Sequence, residues 1–282
     1  MLNAECRALN TQHSTLSIQH SAFNIQHSTF SMNTYDPFAR YYDADFRDYT
    51  EDVPFYRELA RRSGGPILEL MCGTGRVLLP LAEAGHQITG VDISPAMLDI
   101  AREHLAESGL SATLIEGDVR SVALPEKSFG FAFIAINSFM HVETVRDQLA
   151  TLDTARRALS RRGTLVLDLF NPDPIEIARE DNRIVLDRSY NLNGRYVQKF
   201  IAIDSDAAEQ RSNVTYLYDE SDADGRVTRH TMRFTMRWYY RYEIEHLLTR
   251  AGFTLRAVYG SYDLDEYVTG SPRLIAVASP AK

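Results

Sequence analysis

Apolar residues follow two rhythms along this chain. Between positions 66 and 170, short continuous apolar runs alternate with segments of helical spacing; beyond Pro174 an alternation of apolar and polar residues takes over. Runs at 66–71, 87–91, 112–116, 129–136 and 163–170 predict strands buried on both faces, and 75–84, 95–107 and 143–159 predict the helices between them. That order predicts a doubly wound, mostly parallel α/β sheet. Ser94-Pro95 gives one helix a capping hydroxyl and a proline in its first turn. Upstream, Tyr35, Phe38, Tyr41, Tyr42, Phe46 and Tyr49 lie near helical spacing in an acidic stretch, and a helix around 52–62 follows.

Segments 196–204, 211–219 and 226–238 alternate with period two, and Asn193-Gly194 and Asp224-Gly225 are hairpin-type turns. We read 183–239 as an antiparallel β insert. It leaves the sheet after the fifth strand, on the carboxyl edge, and is therefore expected to form a lid over whatever binds there. Within it Met232, Phe234, Met236 and Trp238 face one way, and Thr231, Arg233, Thr235 and Arg237 the other. The arginines are open to two roles, gripping an anionic substrate or facing solvent or another subunit. A helix over 241–251, stopped by Gly252, then precedes strands near 253–260 and 273–279.

The candidate chemistry lies at the ends of the first three strands. Pro66-Ile-Leu-Glu-Leu-Met-Cys-Gly-Thr-Gly-Arg76 carries a carboxylate, Glu69, and then a Gly-x-Gly turn opening a helix. Without a Cβ, Gly73 and Gly75 let the backbone turn sharply and expose N–H groups to a ligand. A dinucleotide fingerprint needs a small residue three positions after the second glycine, and this chain has Leu78 there. The second strand ends in Asp92, whose two oxygens suit a ribose diol; as a group at an open crevice it is expected to matter little to folding. The third ends in Asp118, which can accept from an adenine amino group. Three strand-end carboxylates after one Gly-x-Gly turn mark a nucleoside-cofactor crevice.

Four motifs, Glu-Leu-Met-Cys-Gly-Thr-Gly-Arg (69–76), Val-Asp-Ile-Ser-Pro-Ala-Met-Leu (91–98), Glu-Gly-Asp-Val-Arg (116–120) and Leu-Leu-Thr-Arg-Ala-Gly-Phe (247–253), resemble those of the class I S-adenosylmethionine-dependent methyltransferases. The resemblance extends over about 35–278. It implies S-adenosylmethionine as cofactor and a seven-stranded Rossmann-like sheet whose last two strands form an antiparallel hairpin at its edge. It implies further that Gly73 and Gly75 lie against the methionine part, that Asp92 holds the ribose, that Met97 packs on adenine, and that Asp118 with Val119 reads the adenine edge. Thr74, Ile93 and Asn137 complete the expected cofactor set. Tyr35 and Tyr42 either close over the cofactor or pack their helix down, and Arg76 either meets the cofactor carboxylate or pairs with a neighbouring acid. Cys72, beside the turn, reads as a small packing residue.

Methyl transfer from a sulfonium is an in-line displacement that depends mainly on alignment. Where the acceptor must lose a proton, His141, a few residues past the fourth strand, is the candidate base; a structural or cofactor-contacting histidine is the alternative. The expected reaction is methylation of nitrogen or oxygen in a small polar molecule, and the insert is similar to the lids of N-methyltransferases acting on amino sugars and amino acids. Two rivals remain: a non-catalytic cofactor-binding module, and a nicotinamide-dependent oxidoreductase, against which stand Leu78 and the lack of a Tyr-x-x-x-Lys motif.

Composition narrows the setting. The chain has 282 residues, 44% of them hydrophobic, enough for a full core in one large domain with an insertion or in two domains. A net charge of −8 argues against a general nucleic-acid grip. No apolar run approaches the ~20 residues that span a bilayer. Cys6 and Cys72 are the only cysteines and no Cys/His cluster has zinc-ligand spacing, so we expect a cytoplasmic protein without a metal and place a homodimer among the open assemblies. Gln-His-Ser recurs at 12, 19 and 26, which marks 1–31 as a disordered tail or an untranslated extension ahead of a domain over 32–282; metal binding by His13, His20 and His27 is the rival reading. No secretion signal is apparent there.

Overall fold

The structure is a computed structural model that describes residues 32–282; the expected tail and its three histidines lie outside the described residues. After a 3-10 turn over Met32–Phe38 come α1 (Ala39–Phe46) and α2 (Val53–Ser63), then β1 (Ile67–Leu70), α3 (Leu78–Glu83), β2 (Ile88–Asp92), α4 (Pro95–Glu107) and β3 (Thr113–Glu116). β4 (Phe129–Ile134), a second 3-10 turn (Ser138–His141), α5 (Val145–Ala158), β5 (Leu159–Phe170) and α6 (Pro174–Glu180) follow. The insert is β6 (Arg183–Leu192), β7 (Arg195–Asp206), β8 (Arg211–Ser221) and β9 (Val227–Arg237). The chain ends with α7 (Arg241–Arg250), β10 (Phe253–Tyr259) and β11 (Arg273–Pro280).

Seven strands form one sheet in the order β10-β11-β5-β4-β1-β2-β3. β1 through β5 pair in parallel, and β11 enters antiparallel between β5 and β10. The predicted mostly parallel, seven-stranded sheet with an antiparallel hairpin is what the chain adopts. Alternate residues serve opposite layers. Leu68, Ala132 and Leu167 face α5 and α7, whereas Ile67, Phe131 and Val166 face α2, α3 and α4. These side chains are fully buried, each worth about 1.5–3 kcal/mol for the large aliphatic or aromatic ones.

The insert is a separate antiparallel sheet in sequential order β6-β7-β8-β9. Asn193 and Gly194 both take positive φ, 51° and 78°, at the predicted β6–β7 hairpin. The helix expected at 75–84 starts later, at Leu78, because Met71, Gly73 and Gly75 all have positive φ and hold the chain in a turn. Leu78 itself fits tightly on β2. A Cβ at Gly90 would stand 2.6 Å from its Cδ1, so a glycine on the strand makes room for the bulk that the helix carries.

Candidate functional site

The glycine turn is pinned to the end of β2 by Asp92. Its Oδ2 accepts from Gly73 N–H at 2.8 Å and its Oδ1 from Ser94 N–H at 2.9 Å. The expectation that Asp92 plays little part in folding is therefore corrected: it ties together the turn and the start of α4. Burial raises its pKa, against the backbone donors that lower it. One further lone pair on each oxygen remains available to a diol. The ring of Tyr42 covers the turn, with Cε1 at 3.4 Å from where a Gly73 Cβ would be.

Glu69 is the unsatisfied acid of the site. It is 3% exposed, and its Oε2 has no hydrogen-bond partner. Burial pushes its pKa well above the ordinary value, with the Arg76 charge opposing. Arg76 is already committed, donating to both carboxylate oxygens of buried Asp52 at 2.6 Å and to the Tyr49 carbonyl at 2.7 Å. Of its two sequence-level roles, the structure builds the ion pair with a neighbouring acid.

Asp118 is engaged within the chain as well. Both its oxygens accept from Arg120 Nε at 2.9 Å, and its Oδ1 also caps the Arg120 N–H. Its pKa is lowered, because these bonds outweigh a partial desolvation. Val119, next in sequence, is buried, Met97 is buried in the first turn of α4 with its N–H capped by Ser94 Oγ at 3.2 Å, and Ile93 is half-buried. Thr74 is buried inside the turn. Asn137, in a left-handed conformation with φ 61°, accepts at Oδ1 from Phe170 N–H at 2.7 Å and braces the ends of β4 and β5. Its carboxamide oxygen also takes Arg273, so the expected cofactor contact is not what holds this side chain.

Three distant segments meet at His141. Its Nε2 lies 3.0 Å from Tyr35 Oη, and its ring sits 5.3 Å from that of Phe234 on β9. Tyr35 is flanked edge-on by Tyr42 at 5.9 Å. Burial lowers the His141 pKa to about 4, a hydrogen bond to the Thr235 backbone working against it. Because that bond favours the charged ring, it comes from a ring N–H, which leaves Nε2 to accept from Tyr35. Burial holds the Tyr35 hydroxyl well above its usual pKa, so it stays protonated. The site thus has a neutral imidazole at pH 7, ringed by aromatic faces.

A second buried network fastens α1 to the insert. Lys199 Nζ on β7 lies 2.8 Å from Asp45 Oδ2 and 4.0 Å from the Tyr216 ring centroid, while Tyr218 Oη donates to the same Asp45 oxygen at 2.9 Å. Glu220 Oε1 accepts from Arg40 at 2.7 Å and from Tyr41 Oη at 2.8 Å. Asp36, which accepts from Ser94 Oγ, docks the preceding turn on α4. Sequence reading missed Asp36, Asp45, Asp52 and Lys199. Each acts through a partner remote in the chain, and no local spacing betrays such a pairing. Among the described residues no helix is long and apolar enough to cross a membrane, and no group of three or more His, Cys, Asp or Glu is placed to hold a metal ion.

The donor set suits S-adenosylmethionine. An orphaned buried carboxylate at Glu69 matches an ammonium, and Asp92 keeps lone pairs for a diol. The model of the "Methyltransferase domain" family matches residues 67–163. The cypemycin N-terminal methyltransferase of a Streptomyces species is 28% identical over 76% of this chain and 82% of its own length. A S-adenosylmethionine-dependent methyltransferase from Clostridium acetobutylicum superposes with a TM-score of 0.73 at 18% identity, covering 89% of this chain and all of that one. CalS10, an amino pentose methyltransferase from Micromonospora echinaspora solved with S-adenosylmethionine, gives 0.67 at 21% identity, over 86% and 97% of the two chains. The fold and the strand-end crevice define a cofactor-dependent group-transfer enzyme. Residues 67–163 carry a methyltransferase domain, and the protein is a S-adenosylmethionine-dependent methyltransferase with that molecule as methyl donor.

Proposed function

We propose that this enzyme methylates a nitrogen or oxygen of a small polar molecule bound beneath the insert, which serves as its lid. One observation carries the reading: the Tyr35–His141 pair stands between the glycine turn, reached through Tyr42, and the insert, reached through Phe234. By their names one similar protein is an N-terminal methyltransferase and the other an amino pentose methyltransferase, and both names support a nitrogen acceptor. The bound cofactor supplies an electrophilic methyl on a sulfonium. Glu69 binds the ammonium of its methionine end, with the turn at Gly73, Thr74 and Gly75 alongside. Asp92 orients the ribose, and Ile93, Met97, Asp118 and Val119 enclose the adenine.

Tyr35 and Tyr42 exclude water above the turn, their faces suited to a cationic centre. His141 is neutral at pH 7 because burial holds its pKa near 4, so its Nε2 accepts from the Tyr35 hydroxyl and fixes where that hydroxyl points; a proton lost by the acceptor crosses the pair only in passing and ends on water. Alignment is the larger part of the rate. The test is release of S-adenosylhomocysteine by the purified chain over pooled small amines and alcohols. His141→Gln is expected to lower turnover while leaving S-adenosylhomocysteine affinity within twofold; equal loss of cofactor binding would move His141 into the cofactor pocket.

A further inference from the structure

We propose that a cavity between the insert and the end of β5 receives the non-reacting part of the methyl acceptor, and that this part is apolar and bears a cationic rather than an anionic group. The inference rests on the function proposed above and narrows its substrate class. The cavity, of about 290 Å3, lies against Phe170 and Ile177 on one side and Ile203, Val214, Met236 and Trp238 on the other. Its charged lining is acidic only: Asp173, Glu176 and Glu180, of which Glu176 is paired with Arg179. Arg233 and Arg237, the residues that invited an anionic substrate, alternate away from it on β9, and Arg237 donates to the Glu143 carbonyl.

The cavity continues the aromatic surface at His141. Phe234, which touches His141, and Met236, which lines the cavity, lie on one face of β9, about 7 Å apart along the strand. Val214 pairs with Phe234 across the sheet and packs beside it, so the wall runs unbroken from one to the other. Trp238 lines the cavity and is 2% exposed, and its indole Nε1–H has no partner within the protein. An anionic ligand finds no cation in this lining, whereas an amine finds three carboxylates at an apolar wall, of which Glu180 has no ion-pair partner.

Trp238 is the only tryptophan in the chain, so emission excited at the red edge of the indole band comes from a single residue, one that lines this cavity. The experiment titrates the full chain, saturated with S-adenosylhomocysteine, with n-hexylamine and with hexanoate. We expect a saturable change in Trp238 emission with the amine and at least tenfold weaker response to the carboxylate. Ile177→Lys, on a surface helix, is expected to abolish the amine response with cofactor affinity unchanged within twofold. Glu180→Gln should weaken it by about threefold, as befits an exposed charge. Equal or tighter binding of hexanoate overturns the charge assignment, and a response that survives Ile177→Lys overturns the site. No saturable response while S-adenosylhomocysteine still binds overturns the cavity and leaves the methyltransferase reading standing. Failure to bind S-adenosylhomocysteine overturns that reading and this inference with it.

Discussion

Two groups of carboxylates drawn away from solvent in this molecule are completed in different ways. Where α1 meets the insert, Asp45 and Glu220 are almost wholly buried but face the fixed cations Lys199 and Arg40 and the hydroxyls of Tyr218 and Tyr41. At the strand ends, Glu69 has no cation within bonding reach and leaves Oε2 unpartnered, and Asp92 has only backbone N–H groups. The first region closes its own electrostatics and so fixes how one element sits on another. The second is left incomplete, and an incomplete buried charge is a demand for a ligand. Even the first is not perfect, since Asp45 Oδ1 also lacks a donor.

The largest expected effect tests the completed side. Lys199→Met leaves Asp45 buried without its cation and should cost about 3–5 kcal/mol of stability by denaturant unfolding. Adding Asp45→Asn should recover part of that loss; a single variant costing under ~1 kcal/mol would show that the network does not clamp the insert. On the incomplete side, Asp92→Ala should reduce cofactor affinity at least tenfold, about 1.4 kcal/mol by calorimetry. It should also remove about 1–3 kcal/mol of stability, because Gly73 and Ser94 lose their acceptor. Normal cofactor binding would refute the ribose assignment.

Glu69→Gln should act with the opposite sign. Burial raises the Glu69 pKa in the folded state, so the native protein holds a proton that the unfolded chain gives up above the usual carboxyl range. Stability of the unliganded enzyme therefore declines as pH rises through that window, and the variant should remove this decline. At pH 7 the variant should melt higher without cofactor and gain less from added S-adenosylmethionine. A lower melting temperature in both conditions would make Glu69 a structural acid like Asp168, which Tyr262 Oη and Arg273 hold at 3.0 and 2.9 Å.

The smallest effect belongs to His141. Its pKa falls from 6.5 to about 4 on folding, so the unfolded chain takes up the proton first and stability is lost as pH drops through that interval. His141→Gln should flatten this loss, by under ~1 kcal/mol at pH 6. An unchanged pH profile of melting would mean that the imidazole is more hydrated than its surroundings imply.

The parallel half of the fold was legible because its signals are local. Ser94-Pro95 starts α4 at the expected residue, since the cap and the proline act within one turn. β6 was harder to single out from the insert, because Ile184, Val185 and Leu186 are exposed and its burial shows no clean alternation. In the site, the strand-end acids could be located by pattern, but their partners could not. Asp118 turned to its own neighbour Arg120, and Arg76 to Asp52 across 24 residues. Tyr35 and His141, 106 positions apart, meet only because the fold brings the first turn over the sheet edge. Periodicity reports which face is apolar; it carries no information on which buried charge meets which.

Tyr41 and Tyr42 are adjacent in α1, yet one is bound to Glu220 in the insert and the other lies on the turn at Gly73. Successive helical residues point about 100° apart, so this one short helix presents two different neighbours with two consecutive side chains. The consequence is a rule for chain editing. A single residue inserted between Phe38 and Tyr41 would swing both rings by that angle and detach each from its neighbour at once. Two independent point substitutions, by contrast, would be needed to sever the same pair of contacts. Length in this stretch is therefore constrained more tightly than residue identity, a property that deletion and insertion scanning would reveal where substitution scanning would not.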